Sequence, residues 1–248
     1  MPPVPLHTAQ GRLLAVDDGK GSLGDLPLRM LRLGVQVLHS SEIDEAELMA
    51  RQEGQAICGV LLPSQAGELH VDQAIEVVGP HTGVGADRVA LLGPRIDEKV
   101  AERLRERGVR WRLWEPYEDR DLRFVGWSLV WATSDQDLRL DHRVPTALPA
   151  HAIRRGDRRD VLVGDLSASG AFLETRSPFP AGSQLGLEIE LPNRAIEVTA
   201  TVRWVSSVRR DGAPGGAQGF GVEFLDPPAV LRAALEEHLE SETARFLL

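Results

Sequence analysis

The spacing of apolar residues changes between the two halves of the 248-residue chain, and this change constrains the fold more than any other feature. Up to about residue 133, short apolar runs alternate with segments whose apolar residues recur every three or four positions. From Ala147 onward, apolar residues recur mainly at every second position. The first pattern predicts strands alternating with helices, and the second predicts half-buried strands. We therefore expect two domains, residues 1–136 and 137–248.

The first domain is expected to be an α/β unit with five strands and five helices. The strands are predicted at residues 13–16, 35–38, 56–62, 88–92 and 109–114, and the helices at 25–33, 42–52, 70–78, 97–107 and 118–133. Ser41 is expected to cap the second helix. Because parallel neighbouring strands need helical crossovers, this order predicts a doubly wound, five-stranded parallel sheet.

The second domain is expected to be an antiparallel β-barrel of about six strands. The strands are predicted at residues 147–153, 160–164, 171–173, 184–191, 196–205 and 219–224. Gly156–Asp157 is expected to form a hairpin turn, and Trp204 and Phe220 are expected in the barrel core. Closure into a barrel leaves no long strand edge exposed. After Pro227 and Pro228, leucines spaced four apart predict a final amphipathic helix.

Composition limits the compartment and the partners. The formal net charge is −9, from 28 basic and 37 acidic residues, which disfavours nucleic acid as a partner. No apolar run approaches the roughly 18 residues needed to span a membrane, and the start has no secretory signal pattern. The single cysteine, Cys58, cannot build a disulfide framework. A cytoplasmic protein without DNA binding or membrane insertion is expected.

The first domain resembles the receiver domain of bacterial response regulators over residues 11–134. The resemblance is carried by the order of elements and by the acidic pair Asp17–Asp18 directly after the first strand. In that family such acids hold magnesium beside an aspartate, at the end of the third strand, that accepts a phosphoryl group. Here Pro63 stands at the acceptor position, Gly93 replaces a hydroxyl residue, and Glu115 replaces a lysine. Phosphorelay chemistry is therefore not expected, and neither is any other enzymatic activity.

The acidic pair Asp17–Asp18 has two interpretations. It is either a remnant of a metal site or a helix-entry turn in which acids suit the positive end of the helix. We favour the second, and we expect no metal. The resemblance then implies that the domain serves as a docking or dimerisation surface, through its fourth and fifth elements. An unidentified protein partner or a homodimer would use this surface.

Two motifs in the second domain point to a ligand. The first is an Arg-x-x-x-Arg formed by Arg139 and Arg143. The second is an Asp-x-Ser-x-x-Gly formed by Asp165, Ser167 and Gly170, about twenty residues later on a turn between strands. In a barrel pattern, this pair of motifs resembles the PilZ domain, a bacterial receptor family for cyclic di-GMP.

The resemblance covers about residues 138–240 and implies cyclic di-GMP as the ligand. Arg139 and Arg143 can donate paired hydrogen bonds to phosphate or guanine oxygens, and their planes can stack on bases. Asp165 can accept hydrogen bonds from the guanine Watson–Crick edge, and Ser167 adds a hydroxyl. Gly170 is expected to allow a positive φ and close approach of the ligand. The resemblance also implies that the arginines lie on a loop that closes over the ligand, opposite the Asp165 turn.

Simpler explanations of the same motifs remain open. The two arginines could be solvated charges in a linker, and residues 165–170 could be an ordinary turn. Residues 138–165 hold six arginines and four aspartates, so arginine by itself is weakly informative there. The arginines at 154, 155, 158 and 159 are expected at an exposed hairpin tip. The alternative function is an adaptor that has lost nucleotide binding and acts only through protein contacts.

The arginine motif is also the predicted linker between the domains. If it folds onto the ligand, cyclic di-GMP selects one domain arrangement by its differential affinity for the two arrangements. This predicts a non-enzymatic signalling protein for control of motility, biofilm or exopolysaccharide.

Overall fold

A computed structural model describes residues 11–131, 143–206 and 218–248. The described residues fall into two compact units. The N-terminal unit contains residues 11–131 and also Phe246–Leu248, whereas the rest of the C-terminal part forms the second unit. The domain boundary expected between residues 136 and 137 lies outside the described residues. None of the described helices is long and apolar enough to cross a membrane.

The N-terminal unit is the expected doubly wound α/β sheet. Its strands are β1 (Arg12–Val16), β2 (Val37–Ser40), β3 (Ile57–Pro63), β4 (Val89–Gly93) and β5 (Trp111–Trp114), all parallel in the order β2-β1-β3-β4-β5. Its helices are α1 (Leu26–Arg32), α2 (Ile43–Glu53), α3 (Glu68–Thr82), α4 (Glu98–Glu106) and α5 (Asp119–Trp131). This is the strand order of the receiver fold, so the fold agrees with a receiver-like unit.

Burial explains why the pattern identified β3 so well. All seven residues of β3 are buried, as expected of a central strand covered by helices on both faces. Cys58 lies on this strand, and burial raises the pKa of its thiol to about 11. The thiol therefore stays protonated at neutral pH, which agrees with a core residue.

Two of the differences between the predicted and the observed helix boundaries have a visible cause. Helix α2 begins after Glu42, not after Ser41, and Ser41 instead donates its backbone N–H to the Glu45 carboxylate at 2.9 Å. Helix α3 is longer than expected and continues through Pro80 to Thr82, where Gly83 ends it in a left-handed conformation.

The second unit is the expected closed barrel. Its six strands are β6 (Val144–Arg154), β7 (Asp157–Leu166), β8 (Gly170–Glu174), β9 (Gln184–Leu191), β10 (Arg194–Ser206) and β11 (Gly219–Phe224). All neighbours are antiparallel, in the order β10-β11-β8-β7-β6-β9, and the pairing of β9 with β10 closes the barrel. The hairpin turn between β6 and β7 consists of Arg155 and Gly156, one residue earlier than predicted. Both have positive φ, 51° and 83°, as a two-residue hairpin requires.

The barrel core is built from the alternate, inward-facing residues of its strands, and helix α6 covers part of it. Helix α6 spans Ala229–Ala244 and packs Leu231, Leu235 and Leu239 against this core. The predicted amphipathic helix is thus confirmed. Phe220 is fully buried, as predicted.

Candidate functional site

The turn between β7 and β8 is held together by Ser167. This residue is completely buried, and its Oγ donates a hydrogen bond to the Gly170 carbonyl oxygen at 3.1 Å. The Ser167 backbone N–H donates to the same oxygen at 2.8 Å. On the exposed side of the turn, the Ser169 carbonyl accepts from the Phe224 N–H at 2.8 Å, which joins the turn to the end of β11. The geometry therefore assigns Ser167 to the turn itself, and its contact with a ligand stays a prediction.

Gly170 is required by the packing of two strands. A Cβ at this position would lie 2.3 Å from the carbonyl oxygen of Val222 on β11, much closer than a carbon and an oxygen can approach. Its φ lies outside the positive range, so the expected reason for glycine, a left-handed conformation, is wrong. The absence of a side chain lets β8 and β11 approach and complete the barrel.

A row of four directly opposed residues crosses the barrel next to this turn. Asp165 on β7 pairs with Phe172 on β8, Phe172 pairs with Gly221 on β11, and Gly221 pairs with Trp204 on β10. Directly opposed residues on antiparallel strands point to the same face of a sheet. The sequence neighbours of Phe172, Ala171 and Leu173, belong to the core, so this row faces outward.

The row carries an exposed aromatic surface. The rings of Phe172 and Trp204 are stacked, with centroids 5.3 Å apart and planes only 10° apart. Phe172 is 7% exposed and Trp204 46%, so Trp204 covers Phe172 and presents itself to solvent. A Cβ on Gly221 would lie 2.3 Å from the Trp204 ring, so only glycine lets the ring lie flat over the strand between them.

The prediction that Trp204 belongs to the core is wrong, and a β-bulge is the reason. The register of β10 against β11 shifts between Val202 and Trp204, with Arg203 as the extra residue. A bulge reverses the alternation beyond it, so Trp204 faces outward although Val202, two residues earlier, faces the core. Because strict alternation assigns Trp204 to the core, the sequence pattern does not predict this exposed aromatic surface. A tryptophan followed by Val205 and Ser206 gives no sequence signal for a bulge.

Of the two arginines of the Arg-x-x-x-Arg motif, Arg143 lies within the described residues. Arg143 is half-buried and directly precedes β6. The first residue of β6, Val144, pairs with Leu166, which follows Asp165 on β7. The register thus brings Arg143 beside the strand end that carries Asp165. Arg139 lies outside the described residues.

Two of the charged side chains on the outward-facing side of β10 and β11 pair with each other. Arg203 forms an ion pair with Glu223, in which the guanidinium donates to the carboxylate. Both side chains are about half exposed, at 59% and 46%, so the pair contributes little to stability. Asp165 is half-buried at the end of β7. An anionic ligand would therefore depend mainly on the arginine motif for positive charge.

The carboxyl edge of the N-terminal sheet has the residues expected from the sequence. Pro63 ends β3, Gly93 ends β4, and Glu115 directly follows β5. Ser64 bridges the first two strand ends, since its Oγ donates to the Pro94 carbonyl at 2.7 Å. The geometry thus places a proline, a glycine and a glutamate where phosphoryl transfer would need an aspartate, a hydroxyl and a lysine.

The acidic pair at this edge organises a loop. The buried carboxylate of Asp17 accepts hydrogen bonds from the backbone N–H groups of Asp18 at 2.7 Å, Ser22 at 2.9 Å and Leu23 at 3.3 Å. Burial would raise the pKa of Asp18, but hydrogen bonds involving Asp17, Ser22 and Lys20 outweigh it and lower that pKa to about 2. This favours the interpretation of a structural turn. In the described parts of the chain, no three metal-binding side chains come together.

Comparison with protein families gives one match. Residues 137–241 match the family model described as PilZ domain. A comparison with curated protein sequences finds no match to this chain.

Three similar solved structures cover 43% to 50% of this chain. The inhibitor of motility MotI/DgrA from Bacillus subtilis is 21% identical over 43% of this chain and 52% of its own, with a TM-score of 0.37. The PilZ domain of YcgR from Escherichia coli with c-di-GMP is 18% identical over 43% and 92%, with a TM-score of 0.36. PlzA from Borreliella burgdorferi in complex with c-di-GMP is 18% identical over 50% and 50%, with a TM-score of 0.32. The match thus spans about half the length of the Bacillus protein.

The packing of Gly170 can be tested with a matched glycine on the same barrel. Gly170→Ala should lower the free energy of unfolding by about 1–3 kcal/mol or more, because the new methyl group meets a backbone carbonyl that cannot rotate away. Gly186→Ala on β9 is the control, since a Cβ there meets nothing within 4 Å. Thermal unfolding of both variants decides the point. Equal stability of the two would contradict the assignment.

Proposed function

We propose that this protein, whose residues 137–241 are a PilZ domain, is a bacterial signalling protein that binds cyclic di-GMP. In this proposal the ligand lies on the outer face of the barrel, between the Asp165 turn and the Phe172–Trp204 stack. Arg139 and Arg143 reach it from the segment before β6. The N-terminal unit passes the signal on through protein contacts, in control of motility, biofilm or exopolysaccharide, and no reaction is catalysed.

The observation that carries the proposal is the outward-facing row from Asp165 to Trp204. It combines a carboxylate on β7 with an exposed aromatic ring on β10, on one face of the barrel with β8 and β11 between them. The register of β6 and β7 adds Arg143 at the carboxylate end. A purely structural turn would need neither an exposed tryptophan nor a glycine beneath it.

The chemistry of the three groups suits a guanine dinucleotide. Guanine presents N–H donors on its Watson–Crick edge, and a carboxylate such as that of Asp165 can accept hydrogen bonds from them. Its flat face stacks on aromatic side chains, here Trp204. The two phosphates of the dinucleotide carry the negative charge that arginine binds through paired N–H donors. On a chain with a net charge of −9, local arginines are what make an anionic ligand acceptable.

Calorimetric titration with cyclic di-GMP tests the proposal directly. The intact chain should release or absorb heat on binding, and Arg143→Ala and Asp165→Ala should each weaken binding at least tenfold. The reason is that a hydrogen bond to a charged group contributes about 1.5–3 kcal/mol. The folded state of each variant is checked by thermal unfolding.

Arg158→Ala is the matched control for this titration. Arg158 lies on β7, the same strand as Asp165, and forms an exposed ion pair with Glu188 at 2.8 Å. Its loss should leave the affinity unchanged. If the intact chain gives no binding heat at any temperature tried, the receptor proposal fails and the adaptor without nucleotide binding takes its place.

The aromatic surface can be tested separately. Trp204→Ala should weaken cyclic di-GMP binding by about 5- to 150-fold, because base stacking on an aromatic side chain contributes about 1–3 kcal/mol. Gly221→Ala should act in the same direction, since its methyl group displaces the Trp204 ring. Val205→Ala, at the next residue, is the control and should bind normally. Unchanged affinity in Trp204→Ala would remove the stack from the site.

The proposed signal is a change in the arrangement of the two units, because the arginine motif lies where the chain passes between them. Small-angle scattering of the full chain, with and without saturating cyclic di-GMP, measures this change. The profile should differ between the two states. An unchanged profile would reject the rearrangement and leave ligand binding intact.

A further inference from the structure

A second acidic side chain, Glu174, lies beside the outward-facing row. Glu174 is the last residue of β8 and points to the same face of the barrel as Phe172, two residues earlier. It directly opposes Leu162 on β7 and Gly219 on β11, so it belongs to the next row of residues on this face. Its side chain is half-buried. The face therefore carries one carboxylate more than the Asp165 motif predicts.

The Glu174 side chain lies across β7, over Gly164. A Cβ on Gly164 would overlap the Oε1 atom of Glu174 and would lie 3.1 Å from its Cγ and Cδ atoms. Gly164 is the extra residue of a bulge in β7, where the register against β8 shifts between Val163 and Asp165. Because Gly164 directly precedes Asp165, the carboxylate of Glu174 lies beside the strand end that carries the first carboxylate.

Glycine makes room for this carboxylate in the same way as it makes room for the aromatic surface. On this face, three glycines each lie beneath a side chain of a neighbouring strand: Gly221 beneath Trp204, Gly219 beneath Phe172, and Gly164 beneath Glu174. Two of the covering side chains form the stack on which a base is proposed to lie. The third covering side chain is the carboxylate, so it is held low against the sheet in the same layer as the stack.

The carboxylate of Glu174 has no protein partner in the parts of the chain that the structure describes, where no hydrogen bond or ion pair involves it. Glu223 on β11, in contrast, is paired with Arg203. A half-buried carboxylate has lost part of its hydration, and without a donor it gains no hydrogen bond in return. Its acceptor oxygens are therefore available to a ligand that brings N–H donors.

A carboxylate at this place distinguishes guanine from adenine. It can only accept hydrogen bonds. The Watson–Crick edge of guanine presents two adjacent donors, N1–H and N2–H, which together match the two oxygens of a carboxylate. The same edge of adenine presents the N6–H donor beside the N1 acceptor, so one carboxylate oxygen would face a lone pair. The carboxylate thus favours guanine by attraction and disfavours adenine by repulsion.

We propose that Glu174 is a specificity-determining residue of the cyclic di-GMP site, accepting hydrogen bonds from one guanine while Asp165 accepts them from the other. This inference rests on the proposed function and adds the selection of the second base to it. Cyclic di-GMP has two guanines, and the motif carboxylate serves one of them. Gly164 is a positioning residue, because it leaves the space in which the Glu174 carboxylate lies.

The test compares two ligands by calorimetric titration of the full chain: cyclic di-GMP, and a cyclic dinucleotide with one guanine and one adenine. The intact chain should bind the mixed dinucleotide about tenfold more weakly, because one carboxylate then faces adenine. Glu174→Gln should weaken cyclic di-GMP binding and bring the ratio of the two affinities to about one. The reason is that an amide offers one donor and one acceptor, which match the adenine edge.

Glu197→Gln is the matched control. Glu197 is an exposed residue of β10 and opposes Glu188 on β9, on the side of β10 away from β11. Its substitution makes the same change of charge and should leave both affinities unchanged. Thermal unfolding checks that each variant is folded.

The positioning role of Gly164 is tested by coupling. Gly164→Ala should weaken cyclic di-GMP binding, because its methyl group displaces the Glu174 carboxylate. In a chain that already carries Glu174→Ala, the same substitution should cause no further loss, since no carboxylate remains to be displaced. Equal losses in the two backgrounds would reject this role.

Failure of this proposal is distinguishable from failure of the receptor proposal. An intact chain that binds both dinucleotides equally well would overturn the selection of the second base. Glu174 would also be excluded if Glu174→Gln lowered both affinities equally, as a merely structural role predicts, or changed neither. In these cases cyclic di-GMP still binds and Asp165→Ala still weakens it, so the receptor proposal stands. An intact chain that does not bind cyclic di-GMP overturns both proposals.

Discussion

The barrel depends on the close approach of β8 and β11, which is possible only because Gly170 has no side chain. The Val222 carbonyl occupies the space that a Cβ would need, at 2.3 Å. The same approach fixes the register in which Phe172 opposes Gly221. That register places the outward-facing row beside the Asp165 turn. The shape of the candidate site is thus a consequence of how the strands pack.

The N-terminal unit has the strand order of the receiver fold, but the carboxyl edge of its sheet carries different residues from those that phosphoryl transfer needs. Asp17 is buried, and its carboxylate accepts hydrogen bonds from three backbone N–H groups. Pro63, Gly93 and Glu115 end or follow the neighbouring strands.

Much of the fold could be predicted because burial follows simple periods. Strand β9 has the bounds and the alternating burial that the sequence predicts, and β3 is apolar throughout because it is buried on both faces. Strand β6 begins three residues before its prediction, at Val144, because pairing with β7 extends it through Pro145. Alternation fails at Trp204, where one extra residue in β10 reverses the faces.

The candidate site was predictable only in part. The motif located Asp165 and the turn, but single letters cannot tell a serine that holds a turn from one that contacts a ligand. The ring of Trp204 faces outward because of a β-bulge in β10, and a bulge leaves no periodic pattern in the sequence.

The hydrogen bond between Ser167 and Gly170 has a consequence for how such motifs are interpreted. Both residues are needed to build this barrel, whatever binds to it, so they would survive in a descendant that had lost its ligand. Their presence is evidence of architecture. The diagnostic value of the two motifs for nucleotide binding therefore rests on Asp165 and on the arginine motif.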